Sequence, residues 1–301
     1  MLGDMGMTVS ENTLRNWLKK GRKYLDRMVV ELKRIALEKD AVVNCDETWC
    51  KVRKYDRYKK CYMWVLVNKA ERVVIFFYED GSRGRDVLTN FLGDAELKAL
   101  MSDGYNAYVF IGDELKTHRY KDTDHQVCLA HVRADVFLDN INRLFRFERE
   151  YDREMITDGE RTRRRQGLPT MEVMINLRAN LLQELKSEEE RKSCYMREAL
   201  NYLHKFWNEA FTYIKDGRYP ISNNLAERAV RPFTTKRKNS LHFGSDEGAE
   251  IAAVYHSIIS TVKLQGRSAW DYLGKFFTGI FNGCRDFLSL TPQNIDLAVC
   301  Q

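Results

Sequence analysis

Hydrophobic positions near the start of the chain follow helical spacing. Leu14, Trp17, Leu18, Leu25 and Met28 recur on one helical face behind Ser10, a residue type that caps helices, so a helix is predicted over about Glu11 to Glu38. Three strand-like runs follow: the short apolar AVVNC (Ala41 to Cys45), CYMWVLVN (Cys61 to Asn68) and RVVIFFY (Arg72 to Tyr78). The last two are rich in aromatic and β-branched residues and are separated by Lys69, Ala70 and Glu71, which predicts a hairpin. A helix is expected over Gly84 to Leu92, a strand over Leu97 to Ser102, and a last strand running into a helix over His125 to His131.

From about Asn140 to Gly217 the pattern is charged and helical, with polar patches at RTRRRQG and KSEEERK, and it reads as a helical insertion. PISNNLAERAVRPF then opens another helix. SDEGAEIAAVYHSIISTVKLQG follows with Ser245 as cap, acids in its first turn and Gly266 as the stop. Strands first, then helices around a strand pair, describe an α/β layer with a mixed sheet flanked by helices.

Composition narrows the class. The 301 residues are enough for one large domain or two modest ones, and a formal charge of +6 is compatible with nucleic acid without demanding it. No apolar run approaches a membrane span, and the first residues carry no signal-peptide apolar segment, so no secretory leader is expected. Seven cysteines without close pairs are expected as reduced thiols, which predicts a cytoplasmic protein.

Three acids fall at element ends. Asp46 follows the first strand in NCDETW, Asp103 follows a later strand in SDGYNAY, and Glu227 lies near a helix start in SNNLAERAVR. They are separated by 57 and 124 residues (103 − 46 and 227 − 103), so only the fold could bring them together. Clustered carboxylates suit Mg2+, which takes hard oxygen ligands and keeps waters, and paired ions serve in-line phosphoryl displacement. Spacing alone does not single these acids out, because the chain holds 43 Asp and Glu, and turns and helix starts attract acids for other reasons. Arg228, Arg231, Lys236, Arg237 and Lys238 follow Glu227 closely, as phosphate-binding residues or as a solvated helix face.

The stretch YPISNNLAERAVRPFTTKRKNSLHFGSDEGAEIAAVYHSIISTVKLQG resembles the C-terminal catalytic block of the insertion-sequence-sixty-six group of bacterial transposases. The carrying residues are Asn223, Asn224, Glu227, Arg228 and Arg231, then Arg237, Lys238 and Asn239, then Gly244, Ser245, Gly248, Ala249 and Glu250. NCDET, SDGYNAY and VCLAHVRADV resemble further blocks of that group, in the same order, so the resemblance runs from about residue 40 to 285.

It implies an RNase H-like core over 40–290, with the helical insertion at about 140–217 before the catalytic glutamate helix and a tail over 291–301. Asp46, Asp103 and Glu227 become the metal-binding triad for two Mg2+ ions, with Mn2+ as a substitute. His131, in the Cys128-x-x-His131 element, would contact the scissile phosphate, orient a catalytic group, or be structural. A zinc site from His125, Cys128 and His131 is not expected, for want of a fourth ligand.

The implied activity is metal-dependent phosphodiester hydrolysis and strand transfer of an insertion sequence. Partners would be element ends and target DNA, a second copy on paired ends, and accessory proteins of the same element. Residues 1–39 would be the remnant of a DNA-binding region, which fits the half helix-turn-helix pattern over Met7 to Lys20. The competing reading is a truncated, catalytically silent DNA-binding protein that regulates an intact transposase. A nuclease of the same fold without strand transfer is a third. Trp49 is assigned either to stacking on a flipped base or to a core or lid position.

Overall fold

A computed structural model describes residues 9–187, 192–239 and 242–296, excluding the side chains of residues 236–239. Among the described residues are ten α-helices and a five-stranded mixed sheet, in the order β3 (Val73–Phe77), β2 (Arg57–Asn68), β1 (Val42–Lys54), β4 (Ala99–Ser102) and β5 (Asp124–Val127). The chain divides into two compact units: Met1–Glu38, Asp46–Ala95 and Ala226–Gln301 form the first, and Lys39–Cys45 with Glu96–Leu225 form the second.

The first unit opens with α1 (Glu11–Ala36), whose N-cap Ser10 accepts the Thr13 N–H at 3.1 Å. Its buried stripe is Leu25, Met28, Leu32 and Ala36. Leu14, Trp17 and Leu18, expected on the same apolar face, are 37%, 47% and 46% exposed. The first part of the half helix-turn-helix, before Val9, lies outside the described residues.

Strand β1 (Val42–Lys54) is much longer than the predicted Ala41–Cys45, and a tight turn at Tyr55 and Asp56 joins it to β2 (Arg57–Asn68). Asp46 therefore lies inside β1 instead of following it. The missed half, DETWCKVRK, turns only Cys50 and Val52 fully inward. A strand with one mostly wet face has no apolar run to announce it.

The β2–β3 hairpin forms as predicted, antiparallel, with β3 (Val73–Phe77) at the sheet edge. Two hydroxyls of α9 (Asp246–Leu264) cover that edge. Thr261 Oγ1 accepts from Val74 N (3.0 Å) and donates to Val74 O (2.9 Å), and Ser257 Oγ accepts from Phe76 N (2.8 Å). Exposed backbone that could template aggregation is thereby paired. The unit is completed by α2 (Arg85–Leu92), α8 (Asn224–Asn239) from Ala226 onward, and α10 (Ala269–Phe281), which the pattern reading did not anticipate.

In the second unit the start of β1 pairs in parallel with β4 (Ala99–Ser102), Asn44 opposite Met101, and β4 pairs in parallel with β5 (Asp124–Val127). A single 3-10 turn, Leu129–His131, follows β5. The helical stretch begins at Asp135, earlier than the expected Asn140, with α3 (Asp135–Glu154), α4 (Asp158–Arg165), α5 (Leu168–Lys186), α6 (Cys194–Lys205) and α7 (Trp207–Phe211). Phe137, Ile141 and Leu144 of α3 share a buried core with Val173, Leu177 and Leu181 of α5, each set at helical spacing.

The RTRRRQG patch is not wholly solvated. Arg165 has a side chain only 2% exposed and donates to both Glu148 carboxylate oxygens (2.8 and 2.7 Å) and to the carbonyls of Tyr213, Asp216 and Tyr219. Four of the seven residues of KSEEERK, 188–191, lie outside the described residues.

Candidate functional site

Asn223, fully buried, ties together three segments of the second unit. Its Nδ2 donates to the Cys45 carbonyl at 2.8 Å, its Oδ1 accepts from Asn44 Nδ2 at 3.0 Å, and its backbone N–H donates to Cys128 Sγ at 3.1 Å. Cys128 in turn donates its N–H to the Ser102 carbonyl at 3.1 Å, and its own carbonyl accepts from the Tyr202 hydroxyl at 3.0 Å. A buried amide must find partners or forfeit its solvation, so this arrangement fixes where the β1, β4 and β5 segments lie relative to the residue opening the Asn-Asn-x-x-Glu-Arg run.

Each expected site residue follows a residue of this knot, or its bonded neighbour Ser102, closely in sequence. Asp46 is one residue beyond Cys45, Asp103 one beyond Ser102, His131 three beyond Cys128, and Glu227 four beyond Asn223. All four are half-buried.

Within the second unit, Asp103 Oδ1 accepts the Tyr105 N–H at 2.8 Å and Ser102 Oγ accepts the Gly104 N–H at 3.1 Å, which holds the turn after β4. Gly104 is required there: its φ is +83°, and a Cβ would lie 3.0 Å from the Phe206 ring. His131 ends the 3-10 turn, with its ring edge-on to Tyr202 at 5.9 Å. His125 is a buried partner of Ser102, with Nε2 3.0 Å from Oγ, and burial pushes its pKa down to about 4.

Within the first unit, Asp46 Oδ1 accepts the Glu47 N–H at 2.9 Å. The neighbouring Glu47 has a different task, its side chain 1% exposed and paired with Arg83 at 2.6 Å. Trp49 is 37% exposed on β1. Glu227 is in the first turn of α8, where the helix dipole favours a carboxylate. Arg228 and Arg231 are exposed on the same helix; the side chains of Lys236, Arg237 and Lys238 lie outside the described residues.

Comparison with known proteins fits this reading of the motifs. A family model described as Transposase IS66 family matches residues 1–251. The chain belongs to that family. It is also similar to two uncharacterized proteins of Sinorhizobium fredii. With y4jD it shares 26% identity over 256 residues, which cover 75% of this chain and 47% of that protein. With y4qI it shares 26% over 239 residues, covering 74% and 43%. The chain thus spans about half the length of these relatives. A third, y4hP, is 38% identical over 73 residues, 24% of this chain and 13% of that protein.

In this IS66-family chain the residues that pattern reading passed over are Asn44 and the structural role of Asn223. One signal was available for Asn44. An amide inside the apolar run AVVNC, now 2% exposed, needs a partner from elsewhere in the fold. The six described cysteines are free thiols, and no described helix is long and apolar enough to cross a membrane.

Proposed function

We propose that the chain carries the catalytic centre of a DDE-type DNA transposase, with Asp46, Asp103 and Glu227 as metal ligands on an RNase H-like core. The core would span 40–290, with the helical segment of about 140–217 inserted before α8. The observation that carries this reading is the Asn223 knot, because it anchors every segment bearing an expected site residue within four positions of that residue.

The donor set fits Mg2+: three half-buried carboxylates offer hard oxygens with capacity left for water and phosphate. Two such ions, when bound, stabilise charge on the phosphate and lower the pKa of the attacking water. Asp46, Asp103 and Glu227 would hold the ions, and Glu227 would also orient the nucleophile. Arg228, Arg231, Lys236, Arg237 and Lys238 would grip phosphates flanking the scissile bond, which positions DNA without reading sequence. His131 serves the scissile phosphate, directly or by orienting a neighbour.

In the proposed reaction, the water oxygen would bond to phosphorus as the P–O3′ bond breaks; the freed 3′-hydroxyl would then bond to a target phosphorus as the target's own P–O3′ bond breaks and releases a 3′-hydroxyl, with no covalent protein intermediate. DNA ends and target are the substrates, with a homodimer on paired ends and accessory proteins of the element as further partners.

The test is nicking of supercoiled plasmid with Mg2+ or Mn2+, comparing wild type with Glu227→Gln and Asp103→Asn. Metal-dependent nicking lost in both variants, with DNA affinity kept, is the expected result. Nicking that survives both overturns the triad. DNA binding without any nicking favours the catalytically silent regulator.

A further inference from the structure

The ribbon formed by β1 and β2 beyond Cys50 carries KVRKYDRYKK, six Lys or Arg against one acid, Asp56. Lys51, Arg53, Arg57, Lys59 and Lys60 are all exposed, and so are Tyr55 at the tip (96%) and Tyr58 (51%). Lys54 is ion-paired with Asp246, but Lys51, Arg53, Arg57 and Lys59 have no ion-pair partner among the described residues. The arginines of α4 behave differently. Arg161, Arg163, Arg164 and Arg165 each hold an acid at 2.8 Å or less. A solvated face mixes signs in that way, whereas the ribbon gathers one sign and leaves it unneutralised.

The ribbon is also braced. Phe243 N donates to Lys51 O at 2.8 Å and Arg53 N donates to Phe243 O at 2.9 Å, so residue 243 occupies a backbone edge of β1. Tyr58 Oη lies 2.9 Å from His242 Nε2, with the two rings 4.2 Å apart. Strand alternation puts Lys51 and Arg53 on the face of Glu47 and Trp49, and Tyr58 and Lys60 on that of Tyr62. Arg83 pairs with Glu47 and stacks 5.1 Å from the Tyr62 ring, so these are one face. At about 3.3 Å per residue, Arg53 is roughly 23 Å along the strand from Asp46.

We propose that this braced, basic and aromatic ribbon is a duplex-DNA contact, holding phosphates several base pairs away from the bond cut at Asp46. A two-stranded β-ribbon has the width that a major groove admits, and unpaired Lys and Arg release counterions when they meet phosphates. The inference rests on the DNA-processing reading above, but its readout is binding, not cleavage.

The test measures affinity of the whole chain for a short labelled duplex across a salt series. Neutralising Lys51, Arg53 and Lys60, the basic residues of that one face, to Gln should lower the slope of log affinity against log salt by about 3, near 0.9 for each lost phosphate contact. A charge-matched control neutralises Lys39, Lys116 and Arg163, which are all ion-paired. It should leave the slope unchanged.

Lysine acetylation of the wild type gives a readout that does not depend on the variant folding. Duplex should protect Lys51 and Lys60 and leave Lys39 and Lys116 reactive. Equal slopes in the two variants, unprotected ribbon lysines, or a preference for single-stranded DNA would each overturn the proposal. Ribbon-dependent binding in a wild type that never nicks would overturn the catalytic reading alone.

Discussion

The side-chain amide of Asn223 donates to the carbonyl oxygen of Cys45 at 2.8 Å, one residue before Asp46 in β1. The same amide accepts from Asn44, so two consecutive residues of the strand depend on one side chain. Substitution Asn223→Ala removes both bonds and leaves a buried carbonyl and a buried amide with fewer partners. At about 1 kcal/mol or more for each orphaned group, urea unfolding should report a loss of about 2 kcal/mol. A change under about 0.5 kcal/mol would mean that water or a shifted side chain takes over both bonds.

Much of the architecture is legible from patterning because it rests on local signals. Ser10 and Ser245 cap helices where expected, and β2 and β3 pair around the short break at Lys69–Glu71. The second half of β1 was not legible, since its alternation of Trp49, Lys51 and Arg53 with Cys50 and Val52 offers no apolar run. Arg165 was hidden for a related reason: nothing in RTRRRQG distinguishes the one arginine that is buried from its exposed neighbours. The candidate acids became identifiable through motif resemblance, not spacing, and the Asn223 knot joins residues 178 and 95 positions apart. No local pattern encodes such a pairing.

Burial, with nothing to stabilise a charged imidazole, brings His125 from its ordinary 6.5 down to about 4. The unfolded chain therefore binds the proton more readily than the native one between those values, and stability falls as pH drops from 6.5 towards 4. At pH 5 the contribution is a loss of about 2 kcal/mol relative to pH 7.5. Urea midpoints measured at both pH values should show it, and His125→Asn should flatten the difference. An equal pH dependence in that variant would assign the effect to other groups.

Arg165 is a buried and fully engaged charge, with Glu148 and three carbonyls as acceptors and the Tyr213 ring 5.0 Å away. Arg165→Met strips these acceptors of their donor inside the fold. Breaking a buried pair from one side costs about 3 kcal/mol or more, whereas Arg163→Met at a solvent-screened surface pair should leave the melting temperature nearly unchanged. Thermal melts of the two variants side by side would separate a buried structural arginine from a surface one.

Asp46 and Glu47 are consecutive acids with opposite prospects. On a strand they point to opposite faces, and the Glu47 carboxylate is already committed to Arg83 at 2.6 Å with almost no exposure. Glu47→Gln keeps the shape and removes the charge that holds the guanidinium, so stability should fall by about 1–2 kcal/mol. Metal-dependent nicking should survive within a few-fold at a temperature where the variant is folded, while Asp46→Asn abolishes it without a comparable loss of stability. The reverse pattern, Glu47→Gln inactive but fully stable and Asp46→Asn active, would move the metal ligand one residue along β1 and make the Arg83 pair a feature of the resting site.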